Sequence, residues 1–197
     1  MPLNRKQIKV GVTGSIGAGK TFIASVFEKL GMPVFNSDII AKKCMQEDNI
    51  LVHKIKQLIG EGVYKNGELQ RNFLAEIIFN NKEKLFSLNQ LVHPVVSQHY
   101  IKWCEKQKSK IVIKEAAILF ESGLSNVLDK VICVSANKET RIQRVMMRDN
   151  CSRDQVLNKM SQQMTQREKE KLSDFIIIND NKKLILPQIL DIITKIS

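Results

Sequence analysis

Eight consecutive residues, Gly14-Ser15-Ile16-Gly17-Ala18-Gly19-Lys20-Thr21, fit the spacing G-x-x-x-x-G-K-[ST] at every fixed position. Each residue type answers a need of phosphate chemistry. Glycines let backbone N–H groups close round phosphate oxygens, Lys20 supplies a point charge to the β and γ phosphates, and Thr21 offers a hydroxyl to Mg²⁺. A helix that follows directly presents its N-terminus to the same anion. The alternative is a glycine-rich turn that binds nothing, but an apolar strand-like run precedes the motif and a helical period follows it, which is the context the motif demands.

A phosphate loop of this kind points to a bound nucleoside triphosphate and leaves its use open. GTPases normally add an N-K-x-D string, and the nearest match, Asn137-Lys138-Glu139-Thr140, has Thr where the Asp belongs. Motors and helicases need more chain for their coupling elements. A nucleotide or metabolite kinase fits better, with one helical excursion for the acceptor and another that closes over ATP. Such an enzyme needs an acidic group beside the loop, and Asp38 stands at the exit of the second predicted strand, where ligands of open α/β sheets collect. A carboxylate there can orient or deprotonate an attacking hydroxyl; equally, it can cap a helix over Ile39 to Cys44. Arg141, Arg144 and Arg148 lie at i, i+3 and i+7, within about 60° of arc on a helix. That stripe is either a solvated face or an electrostatic clamp for charge that develops in transfer. Arg153, Lys159 and Arg167 extend its basic character.

The elements that must position these residues can be read from hydrophobic period. Ile8 to Gly14 predicts a strand, Thr21 to Leu30 a helix, and Val34-Phe35-Asn36-Ser37 a second strand after the break at Gly31-Met32-Pro33. Three further runs, Lys110 to Ala116, Lys130 to Val134 and Phe175 to Ile178, are apolar on consecutive positions, as strands buried on both faces are. From Ile39 to about Lys108 helical periods dominate, broken by tight turns at Gly60-Glu61-Gly62 and Lys65-Asn66-Gly67. Asn137 to Ser173 is charged and helical in period, and Leu184 to Ile196 predicts a closing helix. The expectation is an α/β fold: a three-layer P-loop kinase core with a five-stranded parallel sheet (1–40, 109–137 and 174–197), a helical acceptor-binding insertion (41–108) and a helical lid (138–173).

Composition bounds the partners. The 197 residues are 43% hydrophobic, which excludes global disorder. The formal net charge of +11 suits an anionic partner: nucleic acid, a membrane surface or a phosphorylated small molecule. The longest apolar run, Ala116 to Phe120, is far short of the roughly 18 residues of a spanning helix, and the N-terminal residues do not read as a signal peptide. A soluble, cytoplasmic protein is expected. Cys44, Cys104, Cys133 and Cys151 show no zinc-ligand spacing and read as reduced thiols.

Together the motifs resemble one family, the dephospho-coenzyme A kinases, along nearly the whole chain. Val12 to Thr21 looks like that family's P-loop, and Asn36-Ser37-Asp38-Ile39-Ile40-Ala41-Lys42 looks like its D-A-D-x-I-A-R segment. Leu88-Asn89-Gln90-Leu91-Val92-His93-Pro94 is similar to its L-N-x-x-x-H-P, and Ile118-Leu119-Phe120-Glu121 to the end of its P-L-L-F-E. Arg144 to Asp149, then Gln163, and Ser173 to Asn179 resemble its lid and last strand. Many kinases share the P-loop; the other segments in that order are diagnostic. The resemblance implies ATP-dependent phosphorylation of the ribose 3′-hydroxyl of dephospho-coenzyme A, with ATP and Mg²⁺. It assigns Asp38 the role of base or hydroxyl-orienting group, and gives Lys20, Arg144 and Arg148 contacts with the ATP phosphates. It extends the nucleotide span Gly14, Ser15, Ile16, Gly17, Ala18, Gly19, Lys20 and Thr21 to Phe22, and sets Asn179 in a loop near the adenine. Thr21 keeps the metal. Lys42 and His93 fall on the coenzyme A side, where direct contact by His93 and a packed helix-turn role ahead of Pro94 both stay open.

The sequence departs from the family pattern at several points. Asn36 replaces the first Asp of D-A-D, which leaves Asp38 as the segment's one carboxylate. Lys42 stands for Arg and loses bidentate geometry. Thr21-Phe22 replaces Ser-Thr, so one hydroxyl is gone. Ala117 replaces the Pro of P-L-L-F-E, with Glu115 two residues earlier as a further acidic group beside Mg²⁺. Lys159 stands for a lid Arg, and Arg141 adds one. A kinase for another small acceptor, such as a nucleoside monophosphate, is the nearest alternative. A nucleic-acid-binding ATPase is remote: aromatic residues make up 6% of the chain, and no aromatic-plus-basic stacking motif is present. The partners expected are small molecules, without nucleic acid or membrane.

Overall fold

The computed structural model describes residues 7–79 and 81–197; the first six residues of the expected core and Asn80 of the expected insertion lie outside them. In chain order, β1 (Ile8–Thr13) leads through the glycine loop into α1 (Lys20–Lys29), and β2 (Val34–Asn36) follows. Next come α2 (Ser37–Glu47), α3 (Asn49–Ile59), the two-residue strands β3 (Tyr64–Lys65) and β4 (Glu68–Leu69), α4 (Arg71–Phe79) and α5 (Lys82–Glu105). The rest is β5 (Ile111–Glu115), β6 (Lys130–Ser135), α6 (Lys138–Asp149), α7 (Arg153–Ser161), α8 (Gln166–Leu172), β7 (Phe175–Ile178) and α9 (Ile185–Ile196). All five core strands expected from apolar runs are present.

The chain forms two compact units. One comprises the residues up to Asn36 together with Gln107–Ser197, the other Ser37–Lys106. In the first, five parallel strands stand in the order β2-β5-β1-β6-β7. Their consecutive apolar residues serve opposite faces. Val10, Val12, Ile113, Ile132, Val134 and Ile177 pack with Ile23 and Phe27 of α1 and Ile189 and Ile192 of α9. Gly11 turns the other way, against Leu119 and Leu128, where Ala116, Leu119 and Val131 form a second cluster. A third gathers Ile142 and Val145 of α6 with Val156 of α7. The charged stretch 138–173 therefore has its own apolar seam and belongs to the same compact unit as the sheet.

The second unit is built on α5, which buries Leu88, Val92, Val96, Tyr100 and Cys104, each four residues from the last. A period of four keeps one face toward α2 and α3, which pack against it. Because that stripe continues through exposed Pro94, the helix does too, and His93 lies inside a 24-residue helix. The side chains of Asp48 and Asn81 cap α3 and α5 by accepting from Leu51 N–H and Lys84 N–H, each at 2.9 Å. Lys65-Asn66-Gly67 is a turn as expected, with positive φ at Asn66 (53°) and Gly67 (80°). The paired left-handed residues close the β3–β4 hairpin, which Gln46 of α2 ties down through Gly67 O and Leu69 N–H. The unit begins at Ser37 rather than 41 because α2 starts there, two residues before the expected helix.

Among the described residues no helix is long and apolar enough to cross a membrane. The four cysteines stand as thiols, three of them buried.

Candidate active site

The glycine loop leaves the C-terminal end of β1, the strand flanked by β5 and β6. Two of its glycines are required by close approach as well as by backbone angle. Gly17 (φ 80°) faces the Arg141 carbonyl oxygen and Gly19 (φ 93°) the Asn179 side-chain amide, each so near that a Cβ would collide. Gly19 is also the N-cap of α1; it contributes no side chain, and the helix's first turn holds no acid. The positive end of the helix is therefore left for an outside anion. Gly17, Gly19, Lys20 and Thr21, with Arg144, Val145 and Arg148 of α6, line a cleft of about 330 Å³. Gly14, Ser15 and Ala18 are buried beneath the loop's surface. Phe22 is exposed and lies outside the cleft wall.

Behind Thr21 lies a buried carboxylate. Glu115 ends β5, is 3% exposed, and stands in register with Asn36, the last residue of β2. Thr21 Oγ1 donates to Glu115 Oε1 at 2.7 Å, and Asn36 Nδ2 donates to Glu115 Oε2 at 2.6 Å. Both oxygens of this buried carboxylate are thus hydrogen-bonded, which offsets the cost of burying it. Hydroxyl and carboxylate oxygens are the hard ligands that suit Mg²⁺, which takes few from the protein and completes its shell with phosphate and water. The donor set at Thr21 and Glu115 fits that ion.

The three arginines of α6 separate by environment. Arg141 is 8% exposed, donates from Nε to Ala136 O at 3.0 Å, and burial lowers its guanidinium pKa. It supports the loop through its backbone beside Gly17 and does not line the cleft, so the predicted stripe is neither a solvated face nor a clamp of three. Arg144 lines the cleft and holds the loop's outer edge, donating to Gly17 O and Ala18 O at 3.4 Å each, to Asn179 O at 3.0 Å and to Asn181 Oδ1 at 2.6 Å. Arg148 also lines the cleft and is held by Asp149, Nε to Oδ1 at 2.8 Å, which raises its pKa. Asn179, expected near adenine, is buried at the end of β7 and donates from Nδ2 to Ala18 O at 2.8 Å.

In the other unit, Asp38 lies exposed in the first turn of α2. It is the second residue of that helix rather than its cap. Lys42, one turn on, shares its face and is also exposed. His93 is half-buried on α5.

Two residues that touch the loop, and a buried lysine that follows them, carry no role in the sequence reading beyond the likeness of Gln163 to a lid position. Gln163 and Gln166 accept hydrogen bonds from loop amides, Ile16 N–H and Ser15 N–H respectively, each at 3.1 Å. Lys169 is fully buried, pairs with Glu121 at 2.8 Å and donates to Ala117 O. The sequence does carry one local signal for this region, the capping box of α8 between Thr165 and Glu168. It fixes where α8 starts and therefore which way Gln166 and Lys169 turn. Cys133, beneath them, has its thiol pushed up to about 11 by burial, which leaves it a packed thiol at neutral pH.

The whole arrangement has known relatives. The family model described as dephospho-CoA kinase matches residues 8–184. A curated dephospho-CoA kinase of Bacteroides fragilis is 36% identical over 187 residues, covering 94% of this chain and 91% of that protein. Among solved structures, TT1252 from Thermus thermophilus superposes with a TM-score of 0.86 at 30% identity, over 98% of this chain and 99% of that one. The dephospho-CoA kinase from Campylobacter jejuni gives 0.67 at 30% identity, over 96% of each chain. With the phosphate loop, its lysine and the flanking strand order all in place, and a model match that spans most of the sequence, the chain belongs to the dephospho-CoA kinase family.

Proposed function

We propose that this enzyme transfers the γ-phosphoryl group of ATP to the ribose 3′-hydroxyl of dephospho-coenzyme A, giving coenzyme A and ADP, the last step of coenzyme A biosynthesis. The observation that supports it most directly is the cleft in which Lys20, Thr21 and Arg148 converge, backed by buried Glu115. Phosphoryl transfer asks a protein for positioning and charge stabilisation more than for covalent chemistry. Lys20 and the loop amides hold the β and γ phosphates. Thr21, oriented by Glu115, would hold Mg²⁺, which neutralises charge on the phosphates when bound. Arg148 and Arg144 face the charge that develops on the transferred group. Asp38 orients the acceptor hydroxyl and takes its proton, and Lys42 and His93 bind the coenzyme A side. A cytoplasmic setting matches these charged substrates.

The test is product identification by mass after incubation with Mg·ATP and either dephospho-coenzyme A or a panel of nucleoside monophosphates. Coenzyme A is the expected product; phosphorylation of a nucleotide in its place would replace this reading with the nearest alternative. Asp38→Asn should lower turnover by about 10²- to 10⁴-fold, the range for a lost general base, while ATP affinity stays within twofold. Near wild-type turnover in that variant would remove Asp38 from the reaction.

A further inference from the structure

A loop that cradles a triphosphate does so with backbone N–H groups, so whatever holds those groups also sets where the phosphates sit. Here three of them are already engaged by protein. Ser15 N–H donates to Gln166 Oε1 and Ile16 N–H to Gln163 Oε1, both at 3.1 Å, and Ala18 N–H folds back to Ser15 O at 3.1 Å. Gly17 and Gly19 line the cleft. The two glutamines do not line it; they reach the loop from its far side.

The glutamines are themselves anchored. Gln166 Nε2 donates to Val134 O at 3.2 Å and to Glu170 Oε1 at 2.9 Å. That same Glu170 oxygen accepts from Ser135 Oγ at 2.6 Å. Gln163 is fixed through its backbone, N–H to Met160 O at 3.2 Å, where α7 ends. A chain of hydrogen bonds thus runs from β6 and α8 into the first turn of the loop. Ser15 is 4% exposed, so a phosphate oxygen cannot reach in to displace Gln166 from its amide.

We infer that Gln163 and Gln166 are positioning residues that set the phosphate loop from outside. Acting through the Ile16 and Ser15 amides, they turn those two N–H groups away from the cleft and leave Gly17, Gly19 and Lys20 in the geometry that receives the phosphates. The inference rests on the proposal that the loop binds ATP, and it makes nucleotide affinity depend on a side-chain oxygen that touches no nucleotide.

Gln163 is the cleaner position to test, because its described side-chain bond is the one to Ile16. Gln163→Met matches the chain length and removes the acceptor, whereas Gln163→Glu keeps it. Titration calorimetry with Mg·ATP should show Kd about three- to tenfold weaker for Gln163→Met, at most the factor for one net hydrogen bond, because the bond acts by preorganising the loop; Gln163→Glu adds a negative charge near the triphosphate and is therefore read at the Ile16 amide and not by affinity. In ¹⁵N-resolved spectra the Ile16 amide proton should move upfield in the Met variant and downfield in the Glu variant, which a purely structural role elsewhere would not produce. A Met variant that binds ATP as tightly as wild type or tighter overturns the inference. So does an Ile16 amide proton that fails to move downfield in the Glu variant, a readout that still decides the matter if the Met variant fails to fold. Wild type that binds no ATP overturns the proposed function as well, which separates the two failures.

Discussion

Asn36 and Glu115 face each other across β2 and β5 with Nδ2 and Oε2 2.6 Å apart, so Asn36→Asp is a sharp perturbation. It replaces a donor with a second carboxylate. The lost hydrogen bond to a charged group is worth about 1.5–3 kcal/mol. Two full charges about 3 Å apart at an effective dielectric of 20 would repel by about 5–6 kcal/mol. Protonating one carboxyl at pH 7 is cheaper: raising a pKa from about 4 to above 7 costs about 4 kcal/mol, and the new proton restores part of the bond. The cheaper route limits the damage, and the expected loss of stability is about 2–4 kcal/mol at pH 7. The double variant N36D/E115Q should recover most of it. The new amide at position 115 can donate to the new carboxylate at 36 and still accept from Thr21 Oγ1. Urea denaturation of wild type, both single variants and the double variant gives the cycle, with an expected coupling of about 2–3 kcal/mol. The sign of the pH dependence is fixed as well. In the Asn36→Asp protein the two facing carboxyls cannot both ionise, so the penalty is absent below about pH 4, where both are protonated in either state, and grows as pH rises from there through pH 7. Additivity within about 0.5 kcal/mol, or a penalty unchanged between pH 4 and pH 7, would refute the account of this pair.

Asn36 and Glu115 also mark the boundary of what the sequence makes legible. The strands could be read because burial on both faces leaves consecutive apolar residues, as in Val131 to Val134; Phe175 to Ile178, at the sheet's edge, keeps the apolar run although Ile176 is 44% exposed. The phosphate loop could be read because its work is done by backbone, and backbone geometry is written in glycine. Register is not written locally. Glu115 lies 79 positions from Asn36 and 94 from Thr21, and only the order β2-β5-β1 brings the three together. The same holds for Gln163 and Gln166, which are 147 and 151 positions from their amides. Where local rules competed, tertiary burial won. Pro94 cannot donate a helical hydrogen bond, yet the buried stripe from Leu88 to Cys104 carries the helix past it, since one lost N–H bond weighs less than five buried side chains. Ser37 and Asp38 are both good caps, and propensity cannot choose which begins α2. Arg141 looked like its neighbours in spacing, but a side chain's partners are a property of what packs over it, and Ala136 O and Gly17 take Arg141 out of the cleft.

Two further expectations concern charges that hold the stretch after β6. Lys169→Met leaves Glu121, 23% exposed, without its cation and Ala117 O without its donor; a loss of about 2–4 kcal/mol in urea denaturation is expected, below the full cost of breaking a wholly buried pair, and a change under about 0.5 kcal/mol would show the pair to be idle. Asp149 carries the second expectation. Hydrogen bonds from Arg148 and Lys159 hold its carboxyl at about 2, against 3.8 for the free group. A depressed folded pKa contributes stability above the unfolded value and loses it as pH falls through the folded one, so the window lies between about pH 4 and pH 2. Both partners are more than a third exposed, so solvent screening limits the contribution to about 1 kcal/mol. Its place in the last turn of α6, where the helix dipole disfavours an anion, trims it further. The difference in stability between wild type and Asp149→Asn should therefore be about 0.5–1 kcal/mol at pH 5 and vanish near pH 2. It should also shrink in 1 M salt, where the screening length is about 3 Å. A difference that survives at pH 2 would mean that Asp149 acts by packing and not by charge, and Arg148 would then owe its position in the cleft wall to something other than its neighbour.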